Sequence, residues 1–254
     1  MALVDSVATP AGIAAASIGI VAALESEART LGSTTRHADR LLRLRDGMRL
    51  AVSGIGSDAA GRAARSLADA GATALVSWGM AGALDPSLRA GQLILPSAVI
   101  GPDGTRIPTS VDWRARLGSA LRKQLAVSDG LLLTSPAPID SVAGKSAAWR
   151  TTQAVAVDME SLAVAQVAAA RALSFIAVRV IVDTAVDLLP QAVIAASRVG
   201  QVQLWRLMRE LALAPGDVAA LLRLAGRYRA ARRTLLFVAR AGLAGPQIRT
   251  AQLA

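Results

Sequence analysis

Val157-Asp158-Met159-Glu160-Ser161, with Asp183 lying 23 residues beyond Glu160 in Arg179-Val180-Ile181-Val182-Asp183, is the stretch from which the fold is read. An apolar unit separates two acids. Read as strand, helix and strand, the segment puts Glu160 where a helix starts and Asp183 where the next strand ends, so both point into one crevice at the carboxyl edge of a sheet. Carboxylates so placed suit cleavage of a bond that leaves a cationic sugar.

The same alternation extends to both sides. Short apolar runs predict strands over 17–23, 49–53, 73–78 (ending in Gly79), 93–99, 131–133 and 175–182. Helical spacing predicts helices over 58–69, with Ala60, Ala63, Ala64 and Leu67 inward, over 112–125 and over 159–170. The stretch 138–148 reads as a loop leading into a short helix. An α/β sheet covered by helices on both faces follows. Two glycine clusters, Gly54-Ile55-Gly56 and Gly79-Met80-Ala81-Gly82, follow the second and third strands and are expected at turns. There a backbone free of side chains can approach a ligand and present N–H groups to its oxygens. They do not make a dinucleotide fingerprint, because the third glycine, Gly61, falls one position too late for G-x-G-x-x-G.

Composition removes several classes of function. The chain has 254 residues, 53% of them hydrophobic, enough for one large core. Only seven residues are aromatic, too few to stack bases, so nucleic acid is not an expected partner. Cysteine is absent and His37 is the single histidine, leaving no material for a thiolate or histidine metal cluster; no metal is expected. The first sixteen residues lack the basic start of a signal peptide, and Arg171, Arg179 and Asp183 interrupt the longest apolar run, so a cytoplasmic location is expected.

The net charge of +10 resides in the tail: residues 198–254 carry ten Arg against Glu210 and Asp217, or +8, while the remaining 18 basic and 16 acidic residues give +2. Pro215-Gly216-Asp217 marks a break before a last helix, and a division into 17–212 and a basic helical extension, 213–254, is expected. In that helix Leu221, Leu224, Tyr228, Ala231, Leu235 and Val238 fall within one arc of roughly 100°, with Arg223, Arg227, Arg229, Arg232, Arg233 and Arg240 outside it. Such a basic amphipathic helix packs on its own domain, on a second subunit or on an anionic membrane surface; the sequence leaves all three open.

Ile18-Gly19-Ile20-Val21-Ala22-Ala23-Leu24-Glu25-Ser26-Glu27, Ser53-Gly54-Ile55-Gly56, Gly79-Met80-Ala81-Gly82-Ala83-Leu84 and the two acidic segments quoted first occur in the order seen in purine nucleoside phosphorylases and methylthioadenosine/S-adenosylhomocysteine nucleosidases. The chain resembles that superfamily over residues 17–212. The Ala-rich composition, Ser77-Trp78-Gly79, Asp187-Leu188-Leu189-Pro190 and the Arg-rich tail are most similar to the hopanoid-biosynthesis-associated phosphorylases, a group linked to removal of adenine from adenosylhopane. The resemblance implies a three-layer fold with a central mixed sheet, no cofactor, inorganic phosphate as co-substrate only in a phosphorylase, and a homo-oligomer. A catalytically weak nucleoside-binding, membrane-associated scaffold on the same fold is the alternative outside enzymes.

What the resemblance implies can be carried over by residue. Asp183 matches the acid that bonds the purine N7 and exocyclic amine; an Asp capping the next turn is the plainer alternative. Glu160 matches the residue that holds the ribose hydroxyls, with Met159 as an apolar floor beneath the sugar. Glu27, nine positions after Ile18, stands where the hydrolases carry the Glu that activates water and where bacterial phosphorylases carry an Arg for phosphate. Ser77 replaces a second such Arg, and Met80 a Ser that contacts phosphate or water, so hydrolysis is favoured. Gly54 and Gly56 form the expected nucleophile loop, and Gly79 and Gly82 border the substrate. Val182 replaces the Ser or Thr that usually precedes the acid, so its orienting hydrogen bond must come from elsewhere. Arg179, on the face of Asp183 by parity, is expected to partner a buried carboxylate.

Overall fold

The computed structural model describes residues 17–32, 41–44, 47–187 and 218–243. His37, the Pro215-Gly216-Asp217 break and the first sixteen residues lie outside them. The chain runs β1 (Ile18–Ala22), α1 (Glu25–Ala28), a short 3-10 turn (Arg29–Leu31), β2 (Leu42–Arg43), β3 (Arg49–Val52), α2 (Ser57–Asp69), β4 (Ala74–Ala83), β5 (Leu93–Ile94), β6 (Ala98–Ile100) and β7 (Arg106–Pro108). It continues through α3 (Val111–Leu121), β8 (Val127–Ser128), β9 (Leu131–Thr134), α4 (Val142–Thr152), β10 (Ala154–Asp158), α5 (Ser161–Ala170) and β11 (Ser174–Asp183) to α6 (Val218–Ala241).

The sheet is mixed, as expected. Its main path is β2-β3-β1-β4-β10-β9-β6-β7, and β11 pairs with β4 and continues to β5 and β8. Alternate residues along the central strands supply opposite layers. Val21, Leu75, Ala177 and Ile181 pack with Ala60, Ala64 and Leu67 of α2 and Leu162, Val164 and Ala168 of α5. Ile20, Val76, Trp78, Val178 and Val180 pack with Trp113 and Leu117 of α3 and Ala231, Leu235 and Val238 of α6. Period two in the strands and period 3.6 in the helices thus build a helix-sheet-helix sandwich.

α6 thus packs on the domain through Ala231, Leu235 and Val238 of its apolar arc. Trp113 Nε1 donates to the Leu243 carbonyl (2.6 Å) and Thr234 Oγ1 to the Gly91 carbonyl (2.8 Å), fastening both flanks of the contact. Arg223, Arg229, Arg232, Arg233 and Arg240 remain exposed.

Four local expectations are revised. β4 does not stop at Gly79; it runs through Gly79-Met80-Ala81-Gly82 to Ala83, paired with β11 throughout and with β10 at its end. The predicted strand over 93–99 is two strands separated at Pro96, which has no N–H to give a ladder. α3 ends at Leu121, four residues short of the expected end; the loop and short helix expected over 138–148 are present, the helix being α4, capped by Ser141 Oγ accepting from Gly144 N (3.1 Å). Finally, β10 runs antiparallel to β4 whereas β11 runs parallel to it. β10 therefore enters the crevice from the opposite direction and delivers Glu160 to the turn after β3 and Asp158 to Arg179 of β11.

Candidate active site

Glu27, Glu160 and Asp183, with Asp158 beside them, meet around the C-terminal half of β4. Glu27, in the first turn of α1, reaches back to accept from the Leu24 N–H (3.1 Å), as an acid at the third helical position does. Its other oxygen accepts from Met80 N (2.8 Å). Glu160 ends the β10 segment at the N-cap of α5 and accepts from Gly56 N (3.0 Å) and Met159 N (3.3 Å). Asp183 is the last residue of β11 and lies against Gly82, where a built Cβ would be 3.2 Å from both carboxylate oxygens.

All three line one cavity of about 210 Å³, with Leu24, Ile55, Met80, Pro138, Ile139, Met159 and Val182 among its walls. A larger surface cavity of about 330 Å³ between α2 and α5 shares no lining residue with it and gathers none of these acids. The smaller cavity is the site because chemistry, not volume, distinguishes it.

Arg179 organises the end of the site that holds Glu160. Its guanidinium pairs with Asp158 (2.8 Å) and reaches Glu160 (3.7 Å). It also donates to Ser77 Oγ (2.7 Å), Ser161 Oγ (3.1 Å) and the Met80 carbonyl (3.3 Å). It does not pair with Asp183. The expected buried-carboxylate partner is Asp158, with Glu160 beyond it, because the register shifts between Ile181 and Asp183 and turns the final carboxylate off Arg179's face. Burial alone would pull Arg179 down, but Asp158, Glu160 and Glu27 outweigh it and hold the guanidinium above its ordinary value.

Burial dominates the acids. Glu27 is pushed above the ordinary carboxylate range by loss of water, against the pull of Arg179 and the Met80 and Leu24 amides. Burial, with Asp158 and Glu27 adding to it and Arg179 and Gly56 opposing, raises Glu160 to about 7. Asp183 is likewise raised by burial, with Lys145 opposing.

The glycines play parts other than those expected. The Gly54 and Gly56 N–H groups are occupied, by the Ala23 carbonyl (3.0 Å) and by Glu160, so neither is aimed into the cavity. Gly56 does need its left-handed backbone (φ 101°) to make that bond. Gly79 lies behind the site: a Cβ there would sit 2.5 Å from Glu27 Oε1 and 2.6 Å from Arg179 Nη1. Only Gly82 of the four lines the cavity.

Sequence reasoning missed Asp158, which accepts from Thr134 Oγ1 (2.7 Å) while pairing with Arg179, and Lys145, whose ammonium is hydrogen-bonded to Asp183. Lys145 is one of two lysines in a chain whose other basic residues are arginines. That is the one compositional hint it leaves.

Residues 17–208 match the phosphorylase superfamily. No curated protein matched the sequence. Among solved structures, the 5'-methylthioadenosine/S-adenosyl homocysteine nucleosidase of Campylobacter jejuni is 20% identical with a TM-score of 0.62, covering 78% of this chain and 100% of that one. Futalosine hydrolase of Helicobacter pylori is 19% identical with a TM-score of 0.60, covering 77% and 98%. The 5'-methylthioadenosine/S-adenosylhomocysteine nucleosidase of Helicobacter pylori, solved with butyl-thio-DADMe-Immucillin-A, is 17% identical with a TM-score of 0.63, covering 89% and 98%. With the matched segment spanning the whole sheet and all three site carboxylates, the chain belongs to the phosphorylase superfamily of enzymes.

Proposed function

We propose that this protein hydrolyses the N-glycosidic bond of an adenine nucleoside. The observation that carries the reading is the convergence of Glu27, Glu160 and Asp183 on one cavity beside which the buried arginine, Arg179, already pairs with Asp158. A dianionic phosphate would need charge-assisted donors. Arg179 spends its donors on Asp158, Ser77, Ser161 and the Met80 carbonyl, and the amides of Gly54 and Gly56 are also taken. Water needs only a base.

The chemistry follows from the placement. Glu160 accepts the ribose hydroxyls and faces the positive charge that develops on the sugar. As the bond between ribose C1' and N9 breaks, its electron pair passes to the base and the Asp183 proton goes to N7, so neutral adenine leaves. Water bonds to C1' and gives its proton to Glu27. Met159 and Met80 offer an apolar floor to the sugar.

Adenosylhopane is the substrate we favour, on the resemblance of the sequence to the hopanoid-associated group. Apolar walls at Ile55, Pro138 and Ile139 support that reading, since they suit an apolar 5' substituent. The exposed arginines of α6 are suited to an anionic inner-membrane surface, giving a cytoplasmic protein with peripheral contact. Among the described residues no helix is long and apolar enough to cross a membrane. The sequence resemblance also leads us to expect a homo-oligomer whose neighbouring subunit completes the site. Methylthioadenosine or S-adenosylhomocysteine is the second reading, favoured by the fold shared with those nucleosidases.

Purified protein supplied with adenosylhopane, methylthioadenosine and adenosine, each with and without phosphate, tests this. Adenine and free ribose products are expected without phosphate. No adenine from any of the three, or no loss with Asp183→Asn, defeats the reading. Flotation with phosphatidylglycerol vesicles, comparing wild type with Arg229, Arg232 and Arg233 all changed to Gln, tests the membrane contact; equal flotation rejects it.

A further inference from the structure

α4 buries one side chain completely, and that side chain is charged. Among Val142–Thr152 only Lys145 is buried, with no exposed surface, while Val142 remains outside. A helix ordinarily docks through apolar residues and leaves lysine in water. Here the ammonium crosses into the site instead. It donates to Asp183 Oδ2, to the Thr184 carbonyl (2.8 Å) and to the Asp187 carbonyl (3.2 Å).

These three acceptors exhaust the ammonium's three protons. Lys145 therefore has no donor left for a substrate and no lone pair to act as a nucleophile or base. What it does is geometric. One bond ties one oxygen of the Asp183 carboxylate, leaving the other for a ligand, and two bonds hold the turn that follows β11. The turn is braced from its other side, where Asp187 accepts from the Thr184 N–H and hydroxyl (2.8 and 2.7 Å) and pairs with Arg227 of α6 (2.6 Å). The residue preceding the acid, Val182, carries no hydroxyl with which to orient it.

We propose that Lys145 is the positioning residue for Asp183, fixing the carboxylate's rotamer and the turn that carries it. This rests on the reading of Asp183 as the acid that protonates the departing base. An acid held in one rotamer meets N7 without searching, and a misplaced one loses rate rather than binding. The charges that face Asp183 are Lys145 from α4, Asp187 from the following turn and Arg227 from α6. Removing Lys145 removes the principal cation, so Asp183 holds its proton to higher pH.

The test is steady-state adenine release from methylthioadenosine and adenosine across a pH series, with folding checked by circular dichroism. For Lys145→Met we expect kcat to fall about 10- to 100-fold with little change in KM, and the alkaline limb of the profile to move to higher pH. Adding Val182→Ser, which returns a hydroxyl beside the acid, should recover part of kcat. Lys145→Arg keeps the charge and guards against a fold that fails without it. Its planar fork cannot serve the same three acceptors, so kcat should drop with the alkaline limb unmoved. Wild-type kcat and pH profile in folded Lys145→Met, or in Lys145→Arg, overturns the proposal. Asp183→Asn separates the two levels: if it abolishes release while Lys145→Met is unaffected, only the positioning role fails; if it retains release, the acid assignment itself fails.

Discussion

Glu160→Gln should trade activity for stability, and the gain should grow with pH. Glu160 rises from an ordinary 4.5 to about 7 in the folded protein because burial opposes its charge and Asp158 and Glu27 stand nearby. Its folded value exceeds its unfolded one, so its contribution to stability is fully present below about 4.5 and is lost as pH climbs through 7. At about 1.36 kcal/mol per unit, the loss is about 3 kcal/mol. The amide carries no charge to desolvate and retains an acceptor for Gly56 N, so it escapes the loss. The stability of the variant relative to wild type should increase by about 3 kcal/mol between pH 4.5 and pH 8, or about 6–12 °C in Tm for a domain of this size. Urea titrations of both proteins at a series of pH values measure it. Taking the difference cancels most of the effect of Glu27 and Asp183, which titrate in both. A difference that stays flat across pH, or shrinks as pH rises, would refute the claim that Glu160 is a buried charge held against its own desolvation. Adenine release by the variant should be lost at every pH, since an amide cannot offer the sugar a negative charge.

Other changes probe the frame around the acids. Gly79→Ala places a methyl group against Glu27 and Arg179 and should lower kcat by about 100-fold while leaving the protein folded, as judged by urea midpoint and turnover together. Arg179→Gln leaves Asp158 and Glu160 buried without their cation and should cost about 3–5 kcal/mol, seen as a lower urea midpoint or insoluble protein. Leu235→Ala, which empties a fully buried position of α6, should cost about 2–5 kcal/mol in the same titration. An α6 that floated free of the domain would give no change.

Much of the frame is legible in the sequence because it depends on local pattern. The runs at 18–22, 49–52 and 174–183 are too short and too apolar to be surface helices, and the spacing of Ala60, Ala64 and Leu67 fixes which face of α2 is inward. The glycines mislead for a physical reason. A Gly-Met-Ala-Gly run signals a turn when only the backbone's freedom is considered, but at Gly79 and Gly82 the missing Cβ makes room for the carboxylates of Glu27 and Asp183 while the strand continues. That requirement comes from residues 52 and 101 positions away and leaves no trace in the local pattern. Arg179 is half legible: a buried carboxylate is the expected partner, but parity along β11 puts it on the face of Asp183, and the irregularity at Val182 leaves Asp158 and Glu160 as the partners. Lys145 is the least legible of all, since a lysine flanked by small residues on a polar helix reads as solvated until the turn 38 residues later folds over it.

On this reading Glu27, Glu160 and Asp183 together direct water, not phosphate, to the sugar. The most direct measurement is product identity: adenine nucleoside turned over in saturating phosphate, with the sugar identified by mass spectrometry for wild type and Glu27→Gln. Free ribose from the wild type and loss of turnover in the variant are expected. Ribose 1-phosphate as the product, or unaltered turnover in Glu27→Gln, would contradict it.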